Sequence, residues 1–221
     1  MFQNVLIAED QESASISVRK TLEDLGILLP RYAYYCDDAL MWVKKSLQEG
    51  SPYDLLITDL FFEEDDRKQK ISGGAELILA AKQVQPDLKT LVFSAESKVA
   101  VIDGLFKVQG INGYVRKARY DAQELKVAME EIYKGKLHFP AHFREMNRQK
   151  NAYAFSNLDI TIISLLAQGV LQKDIPAYLA QNQIRPSGLS SVEKRLNQMK
   201  EVLEFSKNEQ LVAFCKDMGM I

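Results

Sequence analysis

Five short apolar runs, separated by segments of helical spacing, constrain this chain more than any other feature. The runs fall at residues 5–8, 32–36, 55–58, 90–93 and 113–115. Helical patterns occupy 13–25, 38–48, 75–84, 97–108 and 121–133; the first carries Ile16, Val18, Leu22 and Leu25 near helical spacing. Gly26, the triplet Gly50-Ser51-Pro52 and Pro86 end the first three. Strands alternating with helices argue for a parallel sheet. Runs apolar on both sides suit strands covered by helices on both faces. Residues 1–135 are therefore expected to be α/β, a doubly wound five-stranded parallel sheet.

Such a sheet gathers its strand ends at one edge, where ligands bind in open α/β folds. Glu9 and Asp10 end the first run, Asp59 the third; Ser94 follows the fourth and Lys117 the fifth. Together these groups would hold a divalent cation and a phosphoryl group. Asp59 is a candidate nucleophile towards phosphorus, provided the developing oxygen charge is neutralised. Mg2+ favours carboxylates, waters and phosphate oxygens. Asp10 and Asp59 can supply the carboxylates, with Glu9 acting through water. Lys117 would pair with one phosphoryl oxygen and Ser94 donate to another. Taken singly, each residue has a plainer reading as a helix cap, a solvated lysine or a turn serine. Their order at the ends of four strands makes a joint accident improbable.

The pattern changes after Gly135. Residues 136–155, with Pro140, His138, His142, Arg144, Arg148 and Lys150, read as a linker. Helical patterns at 156–168, 173–180, 190–203 and 208–218 then make a small all-α domain over 156–221, with a short helix, a turn and a longer helix as a candidate helix-turn-helix. Helical phase selects Ser190, Ser191, Lys194, Arg195 and Gln198 as candidate DNA contacts and turns Val192, Leu196 and Met199 to the core. Charge is a counterweight. Within 151–221, Lys173, Arg185, Lys194, Arg195, Lys200, Lys207 and Lys216 are balanced by Asp159, Asp174, Glu193, Glu201, Glu204, Glu209 and Asp217. DNA binders usually show a basic stripe, because phosphate neutralisation supplies much of the affinity. A helical domain that binds protein instead stays open.

The whole chain carries a net charge of -2, which does not by itself announce a nucleic-acid binder. Cys36 and Cys215 lack metal-ligand spacing and read as structural thiols. The first apolar run stops at Glu9, too short for a signal peptide or membrane span. A cytoplasmic protein without membrane association is expected.

Residues 1 to about 135 resemble the flavodoxin-like receiver domain of bacterial two-component response regulators. The resemblance rests on Ala8-Glu9-Asp10, Leu56-Ile57-Thr58-Asp59-Leu60, Phe93-Ser94-Ala95 and Gly113-Tyr114-Val115-Arg116-Lys117. It implies that a sensor histidine kinase phosphorylates Asp59 and that Asp10, Asp59 and the Phe61 backbone carbonyl bind Mg2+. It also implies that Ser94 and Tyr114 form a switch, Tyr114 turning inward behind the moving serine. The stretch 61–72 departs from the family: it lacks the usual Met-Pro pair, and it is long and charged. This is either a solvated insertion or a means of choosing partners, with Phe61 placed to shield an acyl phosphate. Residues 156–221 are similar to the LuxR-type DNA-binding domain in Ile162-Ile163-Ser164-Leu165-Leu166-Ala167-Gln168-Gly169, Lys173-Asp174-Ile175-Pro176-Ala177-Tyr178-Leu179 and Ser191-Val192-Glu193-Lys194-Arg195-Leu196. That implies a homodimer on double-stranded promoter DNA. Pro176 is expected to shorten or distort its helix. An aspartate-nucleophile phosphatase of the haloacid dehalogenase type would need a second Asp two residues after the nucleophile. Phe61 stands there, so a non-enzyme is expected.

Overall fold

The computed structural model describes residues 1–141, 143 and 153–221; His142, Arg144, Arg148 and Lys150 of the expected linker lie outside them. The chain divides into two compact units, one of Met1–Ser97 with Val101–Pro140, the other of Lys98–Ala100 with Ala141–Ile221.

The first unit is a five-stranded parallel sheet in the order β2-β1-β3-β4-β5. Its elements are β1 (Val5–Ala8), α1 (Glu12–Asp24), β2 (Arg31–Ala33), α2 (Cys36–Gln48), β3 (Leu55–Thr58), α3 (Gly74–Val84), β4 (Lys89–Ser94), α4 (Val99–Gly104), β5 (Gly113–Arg116) and α5 (Asp121–Tyr133). Side chains alternate across a strand, so each run feeds two cores. Val5, Ile7, Leu55, Ile57, Leu91 and Phe93 pack with Val18 and Leu22 of α1 and Leu125 and Met129 of α5. Leu6, Ala8 and Leu56 pack on the other face with Ala39 and Val43 of α2 and Leu77 and Ala81 of α3. Every β1 and β3 residue is buried, as two-sided cover requires.

The structure differs from the sequence expectation at three places here. β2 is shorter, because Tyr35 and Cys36 already open α2. The helix expected at 97–108 widens after Gly104 into a π turn over Leu105–Gln109, ended by Gly110 at φ 62°. His138 pairs with the edge strand: its amide donates to the Asn112 carbonyl and its carbonyl accepts from Tyr114, both at 3.0 Å. The start of the expected linker thus extends the sheet.

The second unit contains α6 (Asn157–Ala167), α7 (Ile175–Gln181), α8 (Leu189–Val202) and α9 (Asn208–Asp217). Ile162, Ile163, Ile175, Leu179, Leu211 and Phe214 form its core with Val192, Leu196 and Met199, all buried as their phase on α8 requires. Ser156 and Asp159 cap α6 reciprocally: the Asp159 amide donates to Ser156 Oγ and the Ser156 amide to Asp159 Oδ2. Pro176 goes with a shortened α7, which begins at Ile175 rather than 173, and not with a distorted one. The proline stands in the first turn, where a missing N–H costs nothing.

Candidate functional site: an acidic edge of the sheet

Register builds the site. Ala8 pairs with Thr58, Thr58 with Val92 and Ser94 with Arg116. The residues that follow therefore emerge at one edge. Two backbone bonds hold them there, from the Asp59 amide to Ala8 (3.1 Å) and from the Lys117 amide to Ser94 (2.9 Å). β1 is flanked by β2 on one side and β3 on the other, and at such a switch point α/β sheets open a crevice.

Lys117 Nζ lies 2.6 Å from Asp59 Oδ2 and 2.8 Å from Glu9 Oε2. Asp59 Oδ1 accepts from the Leu60 amide at 2.5 Å. Burial works against the Lys117 charge, but its hydrogen bonds to Asp59 and Glu9 outweigh that and raise its pKa. Burial also pushes the Glu9 carboxyl up, and the Lys117 ammonium opposes this only in part. Two buried acids thus share one half-buried cation.

Among the described residues, Asp10 Oδ1 and Ser94 Oγ at this edge are buried and have no hydrogen-bond partner of good geometry. Buried hydroxyls and carboxylates normally find partners, and the exceptions concentrate where something else binds. Asp10 Oδ2 is satisfied, accepting from the Glu63 amide at 2.6 Å. Tyr114 is fully buried, in the inward position, with its hydroxyl donating to the Glu96 carbonyl at 2.8 Å. Burial pushes its phenol up. Phe61 is 60% exposed and stands at the rim, so its ring does not close the edge against water.

The edge thus brings together Glu9, Asp10, Asp59, Ser94 and Lys117. It does not gather three carboxylates around one point. Glu9 is committed to Lys117, and no group of three His, Cys, Asp or Glu within metal-holding reach occurs among the described residues. Asp10 Oδ1 is the carboxylate oxygen of this edge that has no hydrogen-bond partner among the described residues.

Gly74 is required by the same crowding. A Cβ there would lie 1.7 Å from the Asp59 carbonyl oxygen. α3 therefore starts directly under the candidate nucleophile.

On α8 the candidate DNA contacts separate. Ser190, Lys194 and Gln198 are exposed and Ser191 is half-buried. Arg195 is engaged elsewhere. Its Nε donates to Asp159 Oδ1 at 2.7 Å, and its Nη2 reaches both Asp159 Oδ2 and Ser156 Oγ. The guanidinium, still partly exposed, ties α8 to the start of α6. Asp159 was singled out only as one acid among seven, although the spacing Ser156-x-x-Asp159 is a capping signature.

The fold is shared with solved response-regulator structures. Among solved structures, the chain is similar to RcsB captured as two dimers bound to two parallel DNAs, with 21% identity, TM-score 0.59, and cover of 97% of this chain and 98% of that one. It is also similar to the isolated receiver domain of RcsB from Salmonella enterica serovar Typhimurium with the phosphomimetic BeF3-, at 25% identity and TM-score 0.53, over 65% of this chain and 96% of that one. A LuxR-family response regulator from Aurantimonas matches at 19% identity and TM-score 0.57, over 69% and 99% of the two chains. No protein-family model and no curated protein matches the sequence. No helix among the described residues is long and apolar enough to cross a membrane.

Proposed function

We propose that this chain is a phosphorylation-controlled, DNA-binding transcription regulator of a two-component system, acting in the cytoplasm as a homodimer. The observation that carries the proposal is the unsatisfied pair Asp10 Oδ1 and Ser94 Oγ beside the Asp59–Lys117 contact. The phosphodonor is a phosphohistidine of a sensor kinase. An Asp59 carboxylate oxygen bonds to phosphorus as the histidine N–P bond breaks, and the imidazole nitrogen takes up a proton. Lys117 neutralises the developing charge, and Ser94 supplies its free hydroxyl to a phosphoryl oxygen. Asp10, Asp59 and the Phe61 carbonyl suit Mg2+, a hard cation that would neutralise the phosphoryl oxygens. Tyr114 packs behind Ser94 in the inward arrangement that the family resemblance ties to the phosphorylated state.

The test uses BeF3- with Mg2+ on the full chain, read by fluorine NMR and by Trp42 fluorescence. Wild type should form the complex and Asp59→Asn should not form it at all. Failure of the wild type to bind would sink the reading.

Balanced charge over 151–221 and an Arg195 withdrawn to Asp159 favour a second reading, a helical output that binds protein rather than DNA. Selection from random duplexes with the full chain separates the two. If DNA is bound, Lys194→Glu should weaken binding about tenfold at low salt and lower the salt dependence by roughly one phosphate contact. Selection of no defined site would favour the protein-binding output.

A further inference from the structure

The charged stretch after Asp59 leaves and rejoins the sheet at one point. Phe61 bridges Gly73, and the Gly74 amide donates to the Leu60 carbonyl at 3.0 Å. Between these ends, the loop is fastened to the start of α2. Arg67 forms a two-pronged contact with Asp38, at 2.8 and 2.5 Å, and lies 4.3 Å over the Tyr35 ring. The Tyr35 hydroxyl donates to Asp65 at 2.6 Å. Asp37 accepts from the amides of Lys70 and Ile71, at 2.8 and 3.1 Å. A solvated insertion would not need so many fixed points. What they hold in place is the Glu63 amide, 2.6 Å from Asp10 Oδ2.

We propose that the Glu63 backbone amide is a positioning group for the cation site: it fixes the Asp10 carboxylate by Oδ2 so that Oδ1 stays unpaired and faces the crevice. The proposal rests on the receiver reading above. The insertion, clamped by Arg67 and Asp38, acts as the outer support of a metal ligand. Such supports orient a ligand without touching the metal, and their loss weakens metal affinity by about 10- to 100-fold. The Glu63 side chain takes no part in this arrangement.

Glu63→Ala, which keeps the N–H and should bind Mg2+ as wild type does, is the control for Glu63→Pro, which removes the N–H together with the carboxylate and fixes φ. In the full chain, titration with Mg2+ followed by amide NMR shifts should give the proline variant a dissociation constant raised about tenfold. Raising Mg2+ to saturation should restore BeF3- complex formation to the wild-type extent. A role confined to folding would not separate affinity from extent in this way. Arg67→Ala and Asp38→Ala loosen the clamp from outside and should raise the constant severalfold in chains whose thermal transition stays cooperative. These two variants carry the test if the proline variant does not fold. Unchanged or tighter Mg2+ binding in the folded variants overturns the positioning role while leaving the receiver reading intact. Absence of Mg2+ and BeF3- binding by wild type removes both.

Discussion

Each unit buries a carboxylate against a cation, and the two groups are finished to different degrees. In the helical unit, Asp159 accepts from the Ser156 amide and hydroxyl at 2.8 Å each, from the Tyr153 hydroxyl at 3.3 Å, and from two nitrogens of Arg195. Both carboxylate oxygens have donors, four on Oδ2 and one on Oδ1. At the sheet edge, Glu9 and Asp59 share one lysine, while Asp10 Oδ1 and Ser94 Oγ meet no hydrogen-bond partner of good geometry among the described residues. A buried charge whose partners are complete belongs to the scaffold. One with too few partners is held ready for a ligand, and its cost is borne by the rest of the fold.

The sharpest way to break this contrast is to remove a carboxylate from each group. Asp159→Ala strands a half-buried guanidinium and orphans Ser156 and Tyr153, so the helical unit should lose about 3 kcal/mol. Hydrogen exchange of the Leu196 amide would report it. Asp59→Asn should change stability of the first unit by less than about 1 kcal/mol, or raise it, because it removes a negative charge that acts on Glu9. A large destabilisation by Asp59→Asn, read by urea unfolding through the chain's single Trp42, would erase the distinction.

The sheet edge was legible in the sequence because a parallel register converts position at a strand end into position in space. Glu9, Asp59 and Lys117 needed no knowledge of side-chain conformation to be brought together. Arg195 was not legible in this way. Helical phase puts it at the boundary between the solvent stripe and the core stripe of α8, and its partner Asp159 lies 36 residues earlier. Only the packing of α8 against the start of α6 decides which way it turns. At Pro176 the shortening was legible and the absence of distortion was not: the helix starts at Ile175 rather than 173, which moves the proline from interior to first turn. The insertion's clamp was hidden too, since Tyr35, Asp37 and Asp38 are distant in sequence from Asp65, Arg67 and Lys70 and carry no motif.

The single cation of the edge offers a second way to sharpen the comparison. Lys117→Ala leaves Glu9 and Asp59 buried without compensation and should cost the first unit about 3 kcal/mol in Mg2+-free buffer. Added Mg2+ should recover much of that loss, because the edge is arranged to accept a cation from outside. The helical unit offers no such remedy to Arg195→Ala, whose loss of stability should be the same with or without Mg2+. Urea midpoints in the two buffers measure both, and equal Mg2+ responses would refute the distinction.

The smallest expected effect is a divergence in acid. Burial raises the Asp159 carboxyl, but Arg195 and Ser156 more than offset this and leave it below its ordinary 3.8. Its stabilisation is therefore present above that value and lost as pH falls further, through the folded-state pKa. Glu9 has the opposite sign, with a folded-state pKa above its ordinary 4.5. Its ionised form penalises the fold at neutral pH, and the penalty is relieved as pH falls through the raised value towards 4.5. Mild acid in Mg2+-free buffer should thus firm the first unit slightly while leaving the helical unit unchanged. Below about pH 4 the helical unit should weaken. Trp42 fluorescence and Leu196 exchange, followed on one pH series of the full chain, separate the two responses, and parallel curves would mean that the two buried carboxylates do not differ as their partners indicate.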